Sequence, residues 1–185
     1  MSESLITKIN ICNNSIEIVK TSIVDLKVDA IVNAANERLF EGGGVCGAIF
    51  RAAGSQQLTE ACEKIGGCKT GHAVITSGFN LPAKAIIHAV GPMWHGGHNN
   101  EAKFLQGAYK SSLNTAKLNS CHSVAFPLIS AGIYGYPLKE AWEIAIKSCV
   151  DFLKISTEYG LDIKFAVIDD RIFDVGSELL KKYKE

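Results

Sequence analysis

The sequence lacks several features that mark whole classes of protein. No apolar run approaches the roughly 20 residues that cross a bilayer, and residues 1–8 lack the apolar core of a signal peptide. Lysine plus arginine and aspartate plus glutamate both number 19, so the formal net charge is zero. We therefore expect a cytoplasmic protein with no membrane segment and no nucleic-acid groove, in which any bound anion is held locally.

The six cysteines lack any close pairing pattern, and we interpret them as reduced thiols, most of them small core residues. His95 and His98 are separated by two residues, which allows a zinc-binding interpretation, but no second dense pair of ligands accompanies them. We therefore predict no metal and no cofactor. His72 and His88 lie in strand-like runs, where we expect core or edge histidines.

Strand-like runs alternate with helical runs along most of the chain, which indicates an α/β fold with parallel strands and helices on both faces. The predicted strands are 5–11, 15–20, 28–32, 74–78, 85–91, 124–128 and 163–168, and the predicted helices are 45–53, 55–65, 101–118, 138–155 and 172–183. The first two strands form a hairpin around Asn13-Asn14 at the sheet edge. Strands 74–78 and 85–91 both end in glycine, and we expect both glycines at the ligand edge. The length predicts one domain, residues 1–185.

The stretch from 28 to 54 carries the first binding motif. A buried strand leads to Gly42, Gly43 and Gly44 and then to a helix, so the backbone can approach a ligand and the helix start can bind an anion. Asn33 and Asn36 follow the strand, and their side-chain amides suit ribose hydroxyls. For Asn33 a role in tying up loop backbone is equally open, whereas for Asn36 we favour the ligand.

A second loop with similar chemistry follows the strand at 124–128. Residues 129–137 combine small residues and glycine with an aromatic ring between two glycines. The N–H groups of such a loop can turn toward an anion while the ring covers it, and Pro137 is a preferred first-turn residue for the next helix. The sequence therefore predicts two phosphate-binding loops.

These two motifs together resemble the macrodomains. The similarity lies in Asn-Ala-Ala-Asn, the glycine run with Gly-Val-x-Gly-Ala-Ile, and the loop at 129–137, in the right order, and it extends through most of the chain. The resemblance implies a three-layer α/β/α sandwich with a central mixed, mostly parallel sheet. It implies ADP-ribose or an ADP-ribosylated protein as the partner, and hydrolysis of an ADP-ribosyl or O-acetyl-ADP-ribose ester. The resemblance does not define the oligomeric state.

The resemblance also assigns residues to parts of the ligand. Asn36 would hold the distal ribose. Two sets of residues would line the phosphate groove: Gly43, Gly44 and Val45 on one side, and Ser130, Ala131, Gly132, Ile133 and Tyr134 on the other.

The adenine end departs from the pattern of the macrodomains. Ser22, followed by Ile23, stands where they usually carry an aspartate that binds the adenine amino group, and Ile168 stands where many carry a stacking phenylalanine. A hydroxyl is a weaker acceptor than a carboxylate and isoleucine cannot stack. A site retuned to another phosphorylated nucleoside is therefore an alternative. Phe173 is a candidate replacement for the ring, although packing on a helix face is the other interpretation.

The catalytic positions depart as well. Hydrolytic macrodomains carry an aspartate after Gly-Gly-Val and often a histidine four residues later, whereas this chain has Cys46 and Phe50. A thiol is a poor general base, although a position at a helix N-terminus favours formation of some thiolate. The alternative to a catalytic Cys46 is a small side chain that only fills space beside the ligand. Glu41, the nearest carboxylate in sequence, would position water or face solvent. We therefore hypothesise a hydrolase that uses Asn36, Glu41 and Cys46 with help from the substrate's phosphate, or else a non-catalytic ADP-ribose reader.

Overall fold

The computed structural model describes residues 6–184, so residue 5 of the predicted hairpin lies outside the described residues. The strands are β1 (Ile6–Ile11), β2 (Asn14–Lys20), β3 (Ala30–Ala34), β4 (Ala73–Ser77), β5 (Ala85–Ala89), β6 (Ser123–Phe126) and β7 (Asp162–Val167). The helices are α1 (Gly44–Ala53), α2 (Ser55–Ile65), α3 (Glu101–Leu118), α4 (Leu138–Ile155) and α5 (Asp170–Lys181), and a 3-10 helix spans Ile23–Asp25.

The seven strands form one sheet in the order β1-β2-β7-β6-β3-β5-β4. The pairs β2–β7, β7–β6, β6–β3 and β3–β5 are parallel, and the two outer pairs are antiparallel. One face packs against α3, α4 and α5, with Leu105, Ile146 and Leu180 fully buried. The other packs against α1 and α2, with Ile49 and Leu58 fully buried. The predicted three-layer α/β/α sandwich with a mixed, mostly parallel sheet is confirmed.

The direction of β4 corrects one expectation. β4 pairs antiparallel with β5, so Gly78 lies at the opposite end of the sheet from Gly91, and only Gly91 reaches the edge where the parallel strands end. The connection between the two strands spans residues 78–84. A parallel crossover needs a dozen or more residues, so this length already excluded the arrangement that we expected.

The hairpin at the other edge has the predicted form, with its turn one residue earlier than expected. Ile11 pairs with Asn14, so the turn residues are Cys12 and Asn13, and Cys12 adopts a positive φ of 52°. Asn14 is buried instead, where its Oδ1 accepts a hydrogen bond of 2.8 Å from Leu161 N. The amide thus ties the hairpin to the start of β7.

Helices α2, α3 and α4 have the predicted bounds, whereas α5 begins two residues early because Asp169 caps it and accepts a bond of 2.9 Å from Ile172 N. β3 is displaced from the predicted 28–32 to Ala30–Ala34 because Asn33 stays in the sheet, paired with His88 on β5. Trp142 lies in the core as expected, and its Nε1 donates to Ile172 O at 2.9 Å.

All six cysteines are free thiols; Cys46, Cys62, Cys121 and Cys149 are buried, as most were expected to be. His88 is a core histidine and His72 is exposed just before β4. Within residues 6–184, no three histidine, cysteine, aspartate or glutamate side chains are grouped so that they could hold a metal ion. No helix in the same part of the chain is long and apolar enough to cross a membrane.

Candidate functional site

A crevice opens where the chain leaves two neighbouring parallel strands toward opposite faces of the sheet. The chain continues from β3 to α1 on one face and from β6 to α4 on the other. Ligands of open α/β sheets bind outside the carboxyl ends of strands at such a point. The crevice holds a cavity of about 320 Å³ between Gly42–Cys46 on one side and Pro127–Ser130 and Gly132–Tyr134 on the other.

The glycine loop forms the first wall. Gly44 has a φ of +57°, which L side chains rarely adopt, and α1 begins there with no side-chain cap. The first N–H groups of a helix have no intrahelical acceptor and carry the positive end of its dipole. A Cβ at Gly47 would lie 2.5 Å from Gly42 O, so the loop also packs tightly on the first turn. This wall presents backbone donors to the cavity.

The second wall contains a buried hydroxyl with no partner. Ser130 is 6 % exposed and adopts a φ of +66°, which is uncommon outside glycine. Its Oγ has no hydrogen-bond partner among the described residues. A Cβ at Gly91 would overlap this Oγ, so the hydroxyl lies directly on the Gly91 backbone. Since most buried hydroxyls are paired, this unpaired hydroxyl distinguishes Ser130 among the residues that line the cavity.

Ile133 and Tyr134 complete the second wall. A Cβ at Gly43 would lie 3.7 Å from Ile133 Cδ1, so this exposed side chain reaches across the crevice to the glycine loop. The carbonyl of Tyr134 accepts a bond of 2.8 Å from Trp94 N, which anchors the loop. Burial raises the pKa of the Tyr134 phenol, so the group stays a neutral hydrogen-bond donor at physiological pH.

Asn36 and Cys46 both contact the backbone of Phe40. Asn36 Oδ1 accepts from Phe40 N at 3.0 Å, and its Nδ2 donates to Phe40 O at 2.9 Å. The Sγ of Cys46 lies 3.8 Å from the same Phe40 O. An amide has two N–H donors and two lone pairs on its oxygen, so one donor and one acceptor of Asn36 remain for a ligand. The interpretations of Asn36 as loop tie and as ligand residue are therefore compatible.

Two predicted site residues do not line the cavity. Asn33 is buried, with its Nδ2 3.1 Å from His88 Nδ1 and its Oδ1 unpartnered among the described residues. His88 also lies 2.9 Å from Thr76 Oγ1, and burial lowers its pKa to about 4. Glu41 faces solvent and accepts a bond of 3.3 Å from Ser55 Oγ. The arrangement thus favours a structural role for Asn33 and turns Glu41 away from the cavity.

The residues assigned to adenine also lie outside the cavity. Ser22 and Ile168 follow the neighbouring parallel strands β2 and β7, so they share one edge of the sheet. Ile168 is 75 % exposed and Ile23 is buried. Neither residue lines the cavity, and neither does Ser22 or, in the second loop, Ala131. Phe173 is buried in the core, so it packs as a helix-face residue and does not replace the stacking ring.

Sequence reasoning missed a second, open groove of about 1000 Å³ beside the cavity. The two share Asn36, Gly91 and Tyr134. The groove is built from the loops after β3 and β5, the loop before β4 and the start of α3. Apart from Asn36 and Tyr134, its residues are scattered over these segments without any regular spacing, so no motif marked them; the signal in the sequence was the glycine that ends strand 85–91.

The fold and the crevice define an α/β/α protein whose pocket lies between a glycine loop and a small-residue loop. The chain belongs to the Macro domain family, whose family model matches residues 32–145. The macrodomain resemblance of the two motifs is thereby confirmed.

Several known proteins are similar to this chain. A macro domain-containing protein of Chlorobaculum tepidum is 49 % identical over 169 residues, covering 91 % of this chain and 96 % of the relative. An O-acetyl-ADP-ribose deacetylase of Klebsiella pneumoniae is 48 % identical, covering 90 % and 97 %. The Oceanobacillus iheyensis macrodomain with ADP has a TM-score of 0.92 at 37 % identity, covering 98 % of this chain and 97 % of that one.

Proposed function

We propose that this protein binds ADP-ribose or a derivative of it in the cavity between the two loops, and that it hydrolyses an ADP-ribosyl or O-acetyl-ADP-ribose ester. The family, the names of the similar deacetylases and the macrodomain structure with ADP support the ligand class. The observation that carries the proposal is the cavity between the glycine loop at the start of α1 and the loop that contains the unpaired hydroxyl of Ser130.

The cavity suits a diphosphate although it has no cation. None of the described residues that line it is charged. Neutralisation would come from the backbone donors of the glycine loop, the dipole of α1 and the Ser130 hydroxyl. Such a site holds a phosphate through directed hydrogen bonds, which fits a protein whose formal net charge is zero.

The reaction would depend on the substrate itself. Asn36 holds the distal ribose through its remaining donor and acceptor, which orients the ester for attack by water. Since no carboxylate lines the cavity and Glu41 bonds to Ser55, the phosphate of the substrate is the available base. In the ester case the water oxygen attacks the acyl carbon, and the ribose oxygen leaves and takes up the proton. Cys46 contacts Phe40 O and helps to shape this end of the cavity.

The direct test is hydrolysis of O-acetyl-ADP-ribose by the wild type and by Asn36→Ala. We expect turnover to fall by about 100-fold, as for a misplaced reacting group, while ADP-ribose binding changes much less. Unchanged turnover in a folded variant would remove Asn36 from the reaction and with it the mechanism given above.

A non-catalytic reader of ADP-ribose is the second candidate. Cys46 replaces the aspartate of the hydrolytic macrodomains, and Glu41 does not reach the cavity. A reader would bind ADP-ribose to saturation but yield less than one product per protein molecule. Single-turnover and multiple-turnover assays on the same preparation separate the two candidates.

We also propose that the chain acts as one domain in the cytoplasm and takes ADP-ribosylated protein as a partner. The single sheet that includes all seven strands of residues 6–184 supports the first point. Buried free thiols such as Cys62 and Cys149 fit a reducing compartment. The partner follows from the proposed ligand.

A further inference from the structure

The loop before α3 folds around the first side chain of that helix. Glu101 is buried, and its Oε1 accepts from His95 N at 3.0 Å and from Gly97 N at 3.1 Å. Its Oε2 accepts from Asn99 N at 2.7 Å. Burial opposes the ionisation of this carboxyl group, but the backbone donors prevail and hold its pKa at about 2. The carboxylate is therefore charged at physiological pH and holds three N–H groups of one loop at once.

The backbone of this loop has the conformation that such convergence needs. Gly96 and Gly97 have φ values of +92° and +87°, and Asn100, directly before α3, has a φ of +60°. Positive φ values let successive N–H groups turn toward one centre, as in loops that bind anions. Here the centre is occupied by the carboxylate of Glu101, so the shape of the loop depends on that side chain.

The same loop packs against Trp94, which precedes it in the chain. A Cβ at Gly97 would lie 2.9 Å from Trp94 Cη2, so the Gly97 backbone lies directly on the indole ring. The centre of this ring lies 4.7 Å from that of Tyr136, and Trp94 N donates to Tyr134 O at 2.8 Å. Trp94 therefore connects the loop around Glu101 to the loop at 129–137, which forms one wall of the cavity.

Ser130 in that wall is held from the same side. Tyr136 N donates to Ser130 O at 2.9 Å, and Ser130 keeps its positive φ of +66°. The Oγ of Ser130 lies on the backbone of Gly91. Gly91 and Trp94 belong to one connection between β5 and α3. The position of this connection therefore determines where the Ser130 hydroxyl lies.

On the basis of the proposed function, we propose that Glu101 is a positioning residue for the diphosphate of the ligand. Glu101 does not line the cavity. It acts by holding residues 95–99, which keep Trp94 against Tyr134 and Tyr136, so that the wall around Ser130 is formed before the ligand binds. A preformed wall lowers the ordering cost of binding. A carboxylate that only stabilised the first turn of α3 would leave ligand binding unchanged.

The test is a double-mutant cycle on ADP-ribose binding, measured by calorimetry with the full chain. Glu101→Gln keeps the size of the side chain but removes its charge and replaces one acceptor with a donor. It is combined with Ser130→Ala. Asn14→Ala is the matched control, because Asn14 is also a buried side chain that accepts a backbone N–H group, at the opposite end of the parallel strands.

We expect Glu101→Gln to weaken ADP-ribose binding roughly fivefold, as for residues coupled within one network. Because both substitutions act on the same wall, the double variant should lose less affinity than the two single losses multiplied together. Asn14→Ala should lower the melting temperature and leave the affinity as in the wild type.

Amide hydrogen exchange locates the effect in the chain. In Glu101→Gln the N–H groups of Trp94 and Tyr136 should exchange faster. The N–H group of Ile129 donates to the Tyr109 hydroxyl at 3.0 Å and should keep its protection. If Glu101→Gln does not fold, Gly97→Ala replaces it in the cycle, because its added methyl group would displace the Trp94 ring while the carboxylate stays in place.

Unchanged affinity of the folded Glu101→Gln variant, with ADP-ribose still bound by the wild type, would overturn the positioning role alone. Multiplicative losses in the double variant would do so as well, as would an equal loss of affinity in Asn14→Ala. Absence of ADP-ribose binding by the wild type would instead refute the proposed function and the positioning role with it.

Discussion

Asn36 binds both backbone polar groups of Phe40: its Oδ1 accepts from the N–H and its Nδ2 donates to the carbonyl oxygen. These two bonds close the loop between β3 and the glycine run and hold the amide plane at the junction of the cavity and the groove. The residue that we assign to the distal ribose thus also fixes the geometry of its own loop.

Asn36→Asp affects both of these roles, and each has its own measurement. The carboxylate can still accept from Phe40 N but repels Phe40 O, so the loop loses one bond and gains a charge near the phosphate. We expect turnover to fall by about 100-fold and the melting temperature to fall by a few degrees, since a net hydrogen bond is worth about 1 kcal/mol. Kinetics and a thermal melt of the same sample check this. A variant with normal turnover but lower stability would leave Asn36 with a purely structural role.

Cys46→Asp tests whether the thiol limits catalysis. A carboxylate at this place in the first turn of α1 would be favoured by the helix dipole and could accept a proton from water. We expect hydrolysis of O-acetyl-ADP-ribose to rise by at least about tenfold, with Cys46→Ser similar to the wild type. If Cys46→Ser abolishes hydrolysis and Cys46→Asp does not restore it, the thiol itself takes part in the reaction.

Ser22→Asp tests the adenine end. Because Ser22 offers only a hydroxyl at its edge of the sheet and the exposed Ile168 cannot stack, the wild type should distinguish ADP-ribose from an analogue with another base by less than about tenfold. A carboxylate at Ser22 should strengthen adenine binding and widen the difference. Competition binding with both ligands measures it. Strong discrimination by the wild type would mean that other residues recognise adenine.

The buried His88 should make the free energy of unfolding depend on pH. Its pKa is lowered by burial to about 4 from an ordinary 6.5, so between these values the unfolded chain binds a proton that the folded chain does not. Stability should therefore fall as the pH decreases from 6.5 to 4, by up to about 3 kcal/mol. Urea unfolding of the wild type and of His88→Gln across this range checks the prediction, and the variant should lack this component.

The ionisation of Glu101 does not contribute to the pH dependence of stability that we assign to His88. Its folded pKa of about 2 lies below its ordinary value of 4.5, so its contribution is lost only as the pH falls from 4.5 toward 2. An equal pH dependence of the wild type and His88→Gln between pH 6.5 and 4.5 would contradict the assignment to His88.

The sequence predicted the layers and most elements because these depend on local patterns. Helices α2, α3 and α4 follow their apolar periodicity and have the expected bounds. The direction of β4 was wrong although the length of the connection to β5 determined it. The extent of β3 depended on the pairing of Asn33 with His88, which are 55 residues apart in the chain, so no local pattern could reveal it.

The same difference between local patterns and long-range contacts applies to the candidate site. The glycine loop and the loop around Ser130 were recognised because each is contiguous in sequence. Other features of the site depend on contacts between distant segments. Glu41 accepts a hydrogen bond from Ser55, a Cβ at Gly91 would overlap Ser130 Oγ, and the open groove is lined by several loops. These contacts become visible only when the chain is folded.

The measurement that tests the central claim most directly is calorimetric titration of the wild type and Ser130→Ala with ADP-ribose, with AMP as the control ligand. We predict micromolar binding of ADP-ribose by the wild type, much tighter than that of AMP. Ser130→Ala should weaken it by about tenfold or more, since a hydrogen bond to a charged group is lost. No binding by the wild type, or equal binding by the folded variant, would contradict the assignment of the cavity to the diphosphate.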